Sequence, residues 1–264
     1  MPTDAQKIAA RVQRHHAGFG FDLATGIGTL TIQNSKSVNI LSSAVISQLA
    51  QALDQAREIP ELRVLILRGS GDRAFTGGAD ITEMRVLNPG TARTFIAMLG
   101  GLCERVRLFP VPVIARISGW CLGGGLELAA SCDVRIASTT GRFGMPEVEI
   151  GIPSVIHAAL LPRLIGAARA NYLILTGDRI DAPTALGWGL VDKVSQPDDL
   201  DTTVAELAGR LAGFGMNVMR QQKRLLREWT FSGTPAAVEG SIQEFCAAFT
   251  TGEPQKFMNQ GVRR

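Results

Sequence analysis

The sequence predicts an α/β fold, and three observations carry that prediction. Over about the first two hundred residues, short apolar runs of strand type alternate with amphipathic helical stretches, while about the last sixty are helical throughout. Two glycine-bearing loops, in AFTGGADITEM (74–84) and GWCLGGGLELAASCD (119–133), each follow an apolar run and lead into a helix. The 264 residues, 45% apolar and 19% charged, have the length for a sizeable core and the balance of an ordinary globular protein.

Residues 1–17 are polar and basic and read as a loose or helical leader. From Gly20 to Gln33, Phe21 and Leu23, then Ile27, Leu30 and Ile32, alternate around Gly26-Ile27-Gly28, which predicts an antiparallel hairpin. NSKSVN (34–39) is a polar loop. Ser42 or Ser43 caps an amphipathic helix to about Ile59, with Val45, Ile46, Leu49, Leu53 and Ala56 on one face and Pro60 ending it. RVLILR (63–68) is a buried strand. After the first glycine loop, Asn88-Pro89-Gly90 breaks the chain, and Thr91 to Phe109 is a helix. Val111, Val113, Ile114 and Ile117 make the next buried strand. Gly123-Gly124-Gly125 ends it, and a helix resumes from Leu126 to Ser131. DVRIA (133–137) is a strand, Phe143 to Pro153 is irregular, and helices follow through HAALLPRLIG (157–166) and over 168–175. Pro183 opens a short helix, 189–194 is the last strand, and the chain after Asp199 is helical to about Phe249, with a polar tail. Two regions result, a core over 1–199 and a helical region over 200–264. In the latter, Leu207, Leu211 and Phe214 form an apolar face that the upstream core is not expected to cover.

A net charge of +3 without a concentrated basic patch argues against a nucleic-acid partner. Four cysteines with no CxxC and no disulfide-like spacing suit a reducing compartment. No signal peptide and no apolar run long enough to span a bilayer is present, so the expected location is cytoplasmic, with no membrane partner. Three histidines leave little material for a histidine metal site. There is no GxGxxG, no Walker loop, no HExxH and no GxSxG.

The glycine loops carry the chemistry. Successive glycines let a backbone approach a ligand closely, and a helix start leaves unpaired N–H groups pointing at it. Those groups favour negative charge, whether bound or formed during reaction. Two such loops can place two N–H groups on one oxygen, an oxyanion hole. Glu127 falls in the first turn after the glycines, where a carboxylate can merely complement the helix dipole for a few tenths of a kcal/mol to about one. Glu147, in FGMPEVEIG, is of a kind more often found in surface turns. Beside an oxyanion hole, two carboxylates permit general acid–base work on a polarised carbonyl compound without a metal.

AFTGGADITEM, GWCLGGGLELAASCD and GRFGMPEVEIGIPS, in this order and spacing, resemble the enoyl-CoA hydratase (crotonase) family from about Gly20 to Val194, with a family-like helical tail. The resemblance implies a crotonase-like (ClpP/crotonase) spiral of ββα units and a C-terminal helical trimerisation region. It also implies a homotrimer or homohexamer, an acyl-CoA thioester substrate, and no cofactor, CoA being part of the substrate. By the same resemblance the N–H groups of Ala79 and Gly124 hold the thioester oxygen, and Glu127 and Glu147 match the two catalytic glutamates. Lys36 and Val38 match the loop that meets CoA, Lys36 near its phosphates. Thr76, Gly77, Gly78, Ala79, Asp80 and Ile81 match its adenine and pantetheine path.

Where the family has PGAGGTQRL this chain has PSVIHAALLPRL (153–164), and the stretch from Glu147 to Pro153 is one residue shorter. Ser154 replaces a glycine whose N–H helps hold water in the resembling hydratases. Val155 and Ile156 add bulk that predicts a narrower acyl pocket and short or specially shaped enoyl groups. His157 falls near the pocket wall, a type and position more often packed than catalytic. The end, GEPQKFMNQGVRR, lacks the usual lysine-arginine-proline. The expected reaction is hydration of a 2-enoyl-CoA, Glu147 giving the proton and Glu127 holding the water. An isomerase or another acyl-CoA lyase or hydrolase of the fold is the alternative; a non-catalytic binding or scaffold trimer is a third reading. Both glutamates and the intact triple glycine favour hydration.

Overall fold

A computed structural model describes residues 3–12, 14–33 and 38–261. Helix α1 (Asp4–Val12) precedes β1 (Ala17–Asp22) and β2 (Ile27–Ile32), which pair antiparallel with Ala17 opposite Ile32, the expected hairpin. The hydroxyl of Ser42 accepts the Val45 N–H at the start of α2 (Ser43–Ala56). This helix stops short of Ile59: Pro60 disfavours the α conformation before it, and the chain tightens, with Glu58 and Ile59 N–H donating to Gln55 and Ala56 carbonyls. Then come β3 (Val64–Gly69), β4 (Ala74–Thr76), α3 (Ile81–Met84) and α4 (Pro89–Arg107). The expected break at Asn88-Pro89-Gly90 is the start of α4. The Asn88 side chain accepts the Gly90 and Thr91 N–H groups, the Thr91 hydroxyl accepts the Asn88 N–H, and Pro89 sits where no N–H is needed.

Next come β5 (Val113–Ile117), β6 (Trp120–Leu122), α5 (Gly124–Ala130), β7 (Val134–Ser138) and β8 (Arg142–Gly144). A 3-10 turn at Pro146–Ile150 and a second at Ile156–Leu160 lead into α6 (Leu161–Ile165) and α7 (Ala167–Thr176). The chain continues through β9 (Arg179–Asp181), α8 (Ala182–Trp188), β10 (Lys193–Ser195), α9 (Leu200–Ala212), α10 (Met216–Phe231), α11 (Thr234–Ala248) and α12 (Glu253–Gly261). The last strand is thus shorter than expected, and the tail is helical.

Two sheets organise these elements. One has six strands in the order β1-β2-β3-β5-β7-β10, parallel from β2 onward; the other has four in the order β4-β6-β8-β9. Each of β3, β5 and β7 is followed by one short strand in the small sheet (β4, β6, β8) and then by helix. That is a spiral of ββα units. The small sheet escapes sequence patterning because its strands have three residues each, too few for alternation to register.

The main core lies between the large sheet and helices α2, α4 and α5. The other face of that sheet, with Val64, Ile114 and Ile136, is covered by Leu200, Val204, Ala208 and Ala212 of α9. Leu207 and Leu211, expected to be uncovered, pack there too, because α9 turns back onto the sheet; Phe214 is 46% exposed. Buried Arg116 on β5 fastens this contact through Asp201 of α9 at 2.6 Å and Asp72 at 2.7 Å. Among the described residues, no helix is long and apolar enough to cross a membrane.

Candidate active site

The small sheet brings the two glycine loops together. β4 and β6 run parallel, so the loops that leave them, 77–80 and 123–124, emerge side by side. Gly78 has φ +94°, and a Cβ there would lie 2.8 Å from the Leu122 carbonyl and 3.6 Å from the Gly124 nitrogen, so only glycine lets the loops close up. A parallel bridge between Leu41 and Ala79 uses the Gly78 carbonyl and the Asp80 N–H, so the amide of Ala79 faces the opposite side. Gly124 is the first residue of α5, and its N–H has no acceptor within the helix. The two amides are neighbours: a Cβ built on Gly124 would sit 3.9 Å from the Ala79 nitrogen.

The Glu147 carboxylate lies against the glycine turn, close enough to Glu127 for the two charges to interact. The N–H of Gly123 donates to the Gly144 carbonyl of β8, which carries the chain straight into Pro146-Glu147. Glu147 Oε1 then lies directly over Gly123, at φ +51°, leaving no room for a Cβ. Its Oε2 accepts the Ser154 hydroxyl at 2.9 Å. Glu127, one turn into α5, is 3% exposed, and its Oε1 accepts the Ala158 N–H at 3.1 Å. Burial, then the charge of Glu147, pushes the Glu127 carboxyl up to about 8, against the backbone hydrogen bonds from Ala158 and Val155. Burial also raises Glu147, countered by its own backbone and by the Ser154 hydroxyl.

A cavity of about 240 Å³ opens over the glycine loops and Glu147, lined by Gly77, Gly78, Ala79, Ile81, Gly124 and Glu147 and walled by Met84, Leu122, Ile150 and Ile152; Glu127 lies behind this lining and is not part of it. Glu149 and Arg179 form an ion pair on its lining. Other sequence-selected residues stand behind the lining. Thr76 is fully buried and its hydroxyl accepts the Gly78 N–H; the Asp80 carboxylate caps α3 at Thr82; the Val38 carbonyl accepts the Gly77 N–H. Lys36 lies outside the described residues. His157 faces α4, its Nε2 3.2 Å from Glu104 Oε2, and not the glutamates. The partners of the carboxylates, Ala158 N–H and the Ser154 hydroxyl, were not legible as such, nor was Leu99, whose Cδ2 would lie 2.7 Å from a Cβ on Gly124. The Ser154 contact depends on a local reversal of the chain, and the Ala158 and Leu99 contacts on the approach of stretches distant in sequence.

Ile156, at the head of the second 3-10 turn, holds φ +40°, a conformation that costs a β-branched residue on the order of 1–3 kcal/mol. That turn delivers the Ala158 N–H to Glu127, and Ile156 itself packs toward Gly100 of α4.

Paired amides at the mouth of a helix, with half-buried Glu147 on a small cavity and buried Glu127 behind it, define an acid–base site for a polarised carbonyl compound. A sequence model of the family described as enoyl-CoA hydratase/isomerase matches residues 22–262, and the chain belongs to that family of enzymes. The short-chain-enoyl-CoA hydratase of Clostridium acetobutylicum is 33% identical over 239 residues, covering 90% of this chain and 92% of that one. The crotonyl-CoA hydratase of Syntrophomonas wolfei is 35% identical, with 88% and 90% covered. The crystal structure of an enoyl-CoA hydratase from Bacillus anthracis superposes with a TM-score of 0.89 at 31% identity, covering 94% of this chain and 96% of that one. The crotonase fold expected from the motifs is the fold observed.

Proposed function

We propose that the protein is a 2-enoyl-CoA hydratase acting on short acyl groups. The observation that carries this is the pair of glutamates, Glu127 buried and Glu147 half-buried, near two neighbouring amides, those of Ala79 and Gly124, that have no backbone acceptor among the described residues. The Ala79 and Gly124 N–H groups take the thioester oxygen, and the charge that develops there as water adds is held without reorganisation. Electron withdrawal makes the β-carbon electrophilic. Glu147, whose Oε1 lies over the glycine turn, gives its proton to the α-carbon. Glu127, deeper and holding a proton at rest, must first be relieved of it by the pair's sharing with Glu147; it then takes a proton from the water that bonds to the β-carbon. One proton is shared between buried Glu127 and half-buried Glu147, so it ends on the other glutamate, and the pair titrates as a unit. The step needs no cofactor beyond the CoA of the substrate. The unpaired thiols, Cys103, Cys121 and Cys132 among them buried, suit a cytoplasmic setting.

Short acyl groups fit the cavity, which at about 240 Å³ is small beside the roughly 300–1,000 Å³ of ordinary ligand pockets. The names of the Clostridium and Syntrophomonas relatives point the same way. The test is loss of conjugated-thioester absorbance with crotonyl-CoA. Glu127→Gln and Glu147→Gln should each lower kcat by roughly 10²–10⁴, the general acid–base range. A wild-type protein that hydrates no enoyl-CoA overturns the reading; a glutamine variant within a few-fold of wild type removes that residue from the mechanism.

A further inference from the structure

Where the resembling hydratases have a glycine, this chain has Ser154, and its side chain has a defined partner. We propose that Ser154 is a positioning residue for Glu147: its hydroxyl fixes Oε2, so that Oε1 is the oxygen that exchanges the proton with the substrate. The geometry rests on a short reversal. Gly151, at φ +77°, turns the chain back, the Ile152 N–H donates to the Glu147 carbonyl at 3.2 Å, and Ser154 comes to lie against the carboxyl seven residues before it. Among the described residues, Ser154 is the side chain that hydrogen-bonds this carboxyl. The other oxygen is pressed over Gly123, next to the Gly124 amide.

A glutamate carboxyl rotates about a soft terminal torsion and would otherwise present either oxygen. Holding one oxygen removes that freedom and keeps the other in reacting position. The segment 154–158 therefore serves both carboxyls, Glu147 through the Ser154 side chain and Glu127 through the Ala158 backbone. The bond has a second consequence: a hydroxyl that donates to a carboxylate favours its ionised form, so its loss raises the Glu147 pKa further.

The kinetic test rests on the hydratase reading. With crotonyl-CoA, Ser154→Ala should lower kcat roughly tenfold while KM stays within about twofold, the loss of one hydrogen bond to a charged group felt in the transition state. Ser154→Thr, which keeps the hydroxyl, should recover most of it. If Glu147 works protonated, the basic limb of the pH–kcat profile moves to higher pH in Ser154→Ala. A move of the acidic limb instead upholds the Ser154–Glu147 bond and exchanges the roles of the two glutamates. An NMR titration of ¹³C-labelled glutamate carboxyls in the ligand-free protein, with the Glu147 signal identified by its loss in Glu147→Gln, gives a readout independent of turnover. There the Glu147 midpoint should rise on Ser154→Ala. Unchanged kcat and an unchanged midpoint overturn the proposal. Should the wild type hydrate no enoyl-CoA, the hydratase reading fails, and the titration alone decides Ser154.

Discussion

Glu127 shows how one side chain carries opposite meanings in sequence and structure. In the first turn of a helix a carboxylate is ordinarily stabilising; buried to 3% exposure with a second carboxyl nearby, it is held at about 8 and costs stability when ionised. The sign follows from linkage. Between the usual carboxylate range and about pH 8, the folded chain keeps a proton that the unfolded chain has released, so stability falls as pH rises through that window. Glu127→Gln has no such proton to lose. Its stability relative to wild type should therefore climb by a few kcal/mol between about pH 5 and pH 8.5, read from urea midpoints. A difference that stays flat with pH would mean that Glu127 ionises freely in the fold. Both glutamates were legible from their motifs. Ser154 was legible as a departure but not as a donor to Glu147, because that contact requires the left-handed Gly151 and the return of the chain from Ile152.

At the scale of elements, long periodic helices and apolar strands announce themselves, and three-residue strands do not. α2 was readable from its cap and periodicity, the body of α4 from its periodicity, and β1, β2, β3, β5 and β7 from alternation or apolar runs, whereas β4, β6, β8 and β9 have no pattern of their own and three-residue β10 falls beyond most of the stretch expected for it. The acyl end of the cavity shows the same limit. Val155 and Ile156 were expected to narrow it, but Val155 is 39% exposed and Ile156 packs toward α4; the walls are Ile81 and Met84 on α3 with Ile150 and Ile152 after β8. The small volume of the cavity is set by these four residues and not by Val155 or Ile156. With crotonyl-CoA as reference, kcat/KM should fall as the acyl chain lengthens from about four to about ten carbons, each methylene bearing on a tight apolar pocket by about 1–3 kcal/mol. Ile150→Ala should flatten that trend, and Val155→Ala should leave it as it is. Rates that rise with chain length in the wild type would show that the acyl group runs elsewhere.

Among the described residues, the C-terminal helices carry an apolar surface that the chain does not cover for itself. α9 is spent on the sheet, and α10 is tethered by Lys223, whose Nζ reaches the Val111 carbonyl at 2.9 Å and Asp133 Oδ2 at 2.7 Å. α10, α11, α12 and the turns before α10 and after α11 wall an apolar cavity of about 400 Å³ with Phe214, Val218, Phe245, Phe249, Phe257 and Met258. Phe245 is 67% exposed, Met258 60% and Ile242 54%. Exposure of this kind on a folded chain marks an interface, identical chains favour closed symmetry, and the family resemblance selects three-fold closure. The C-terminal helices should therefore assemble the protein into a trimer, or a hexamer of paired trimers, built from 28.2 kDa chains. Sedimentation at micromolar concentration reads this directly. Phe245→Asp together with Ile242→Asp should release smaller species while the ββα core, which these residues do not enter, keeps its circular dichroism. A wild-type protein that sediments as a monomer would leave the apolar face without a partner copy and overturn the assembly.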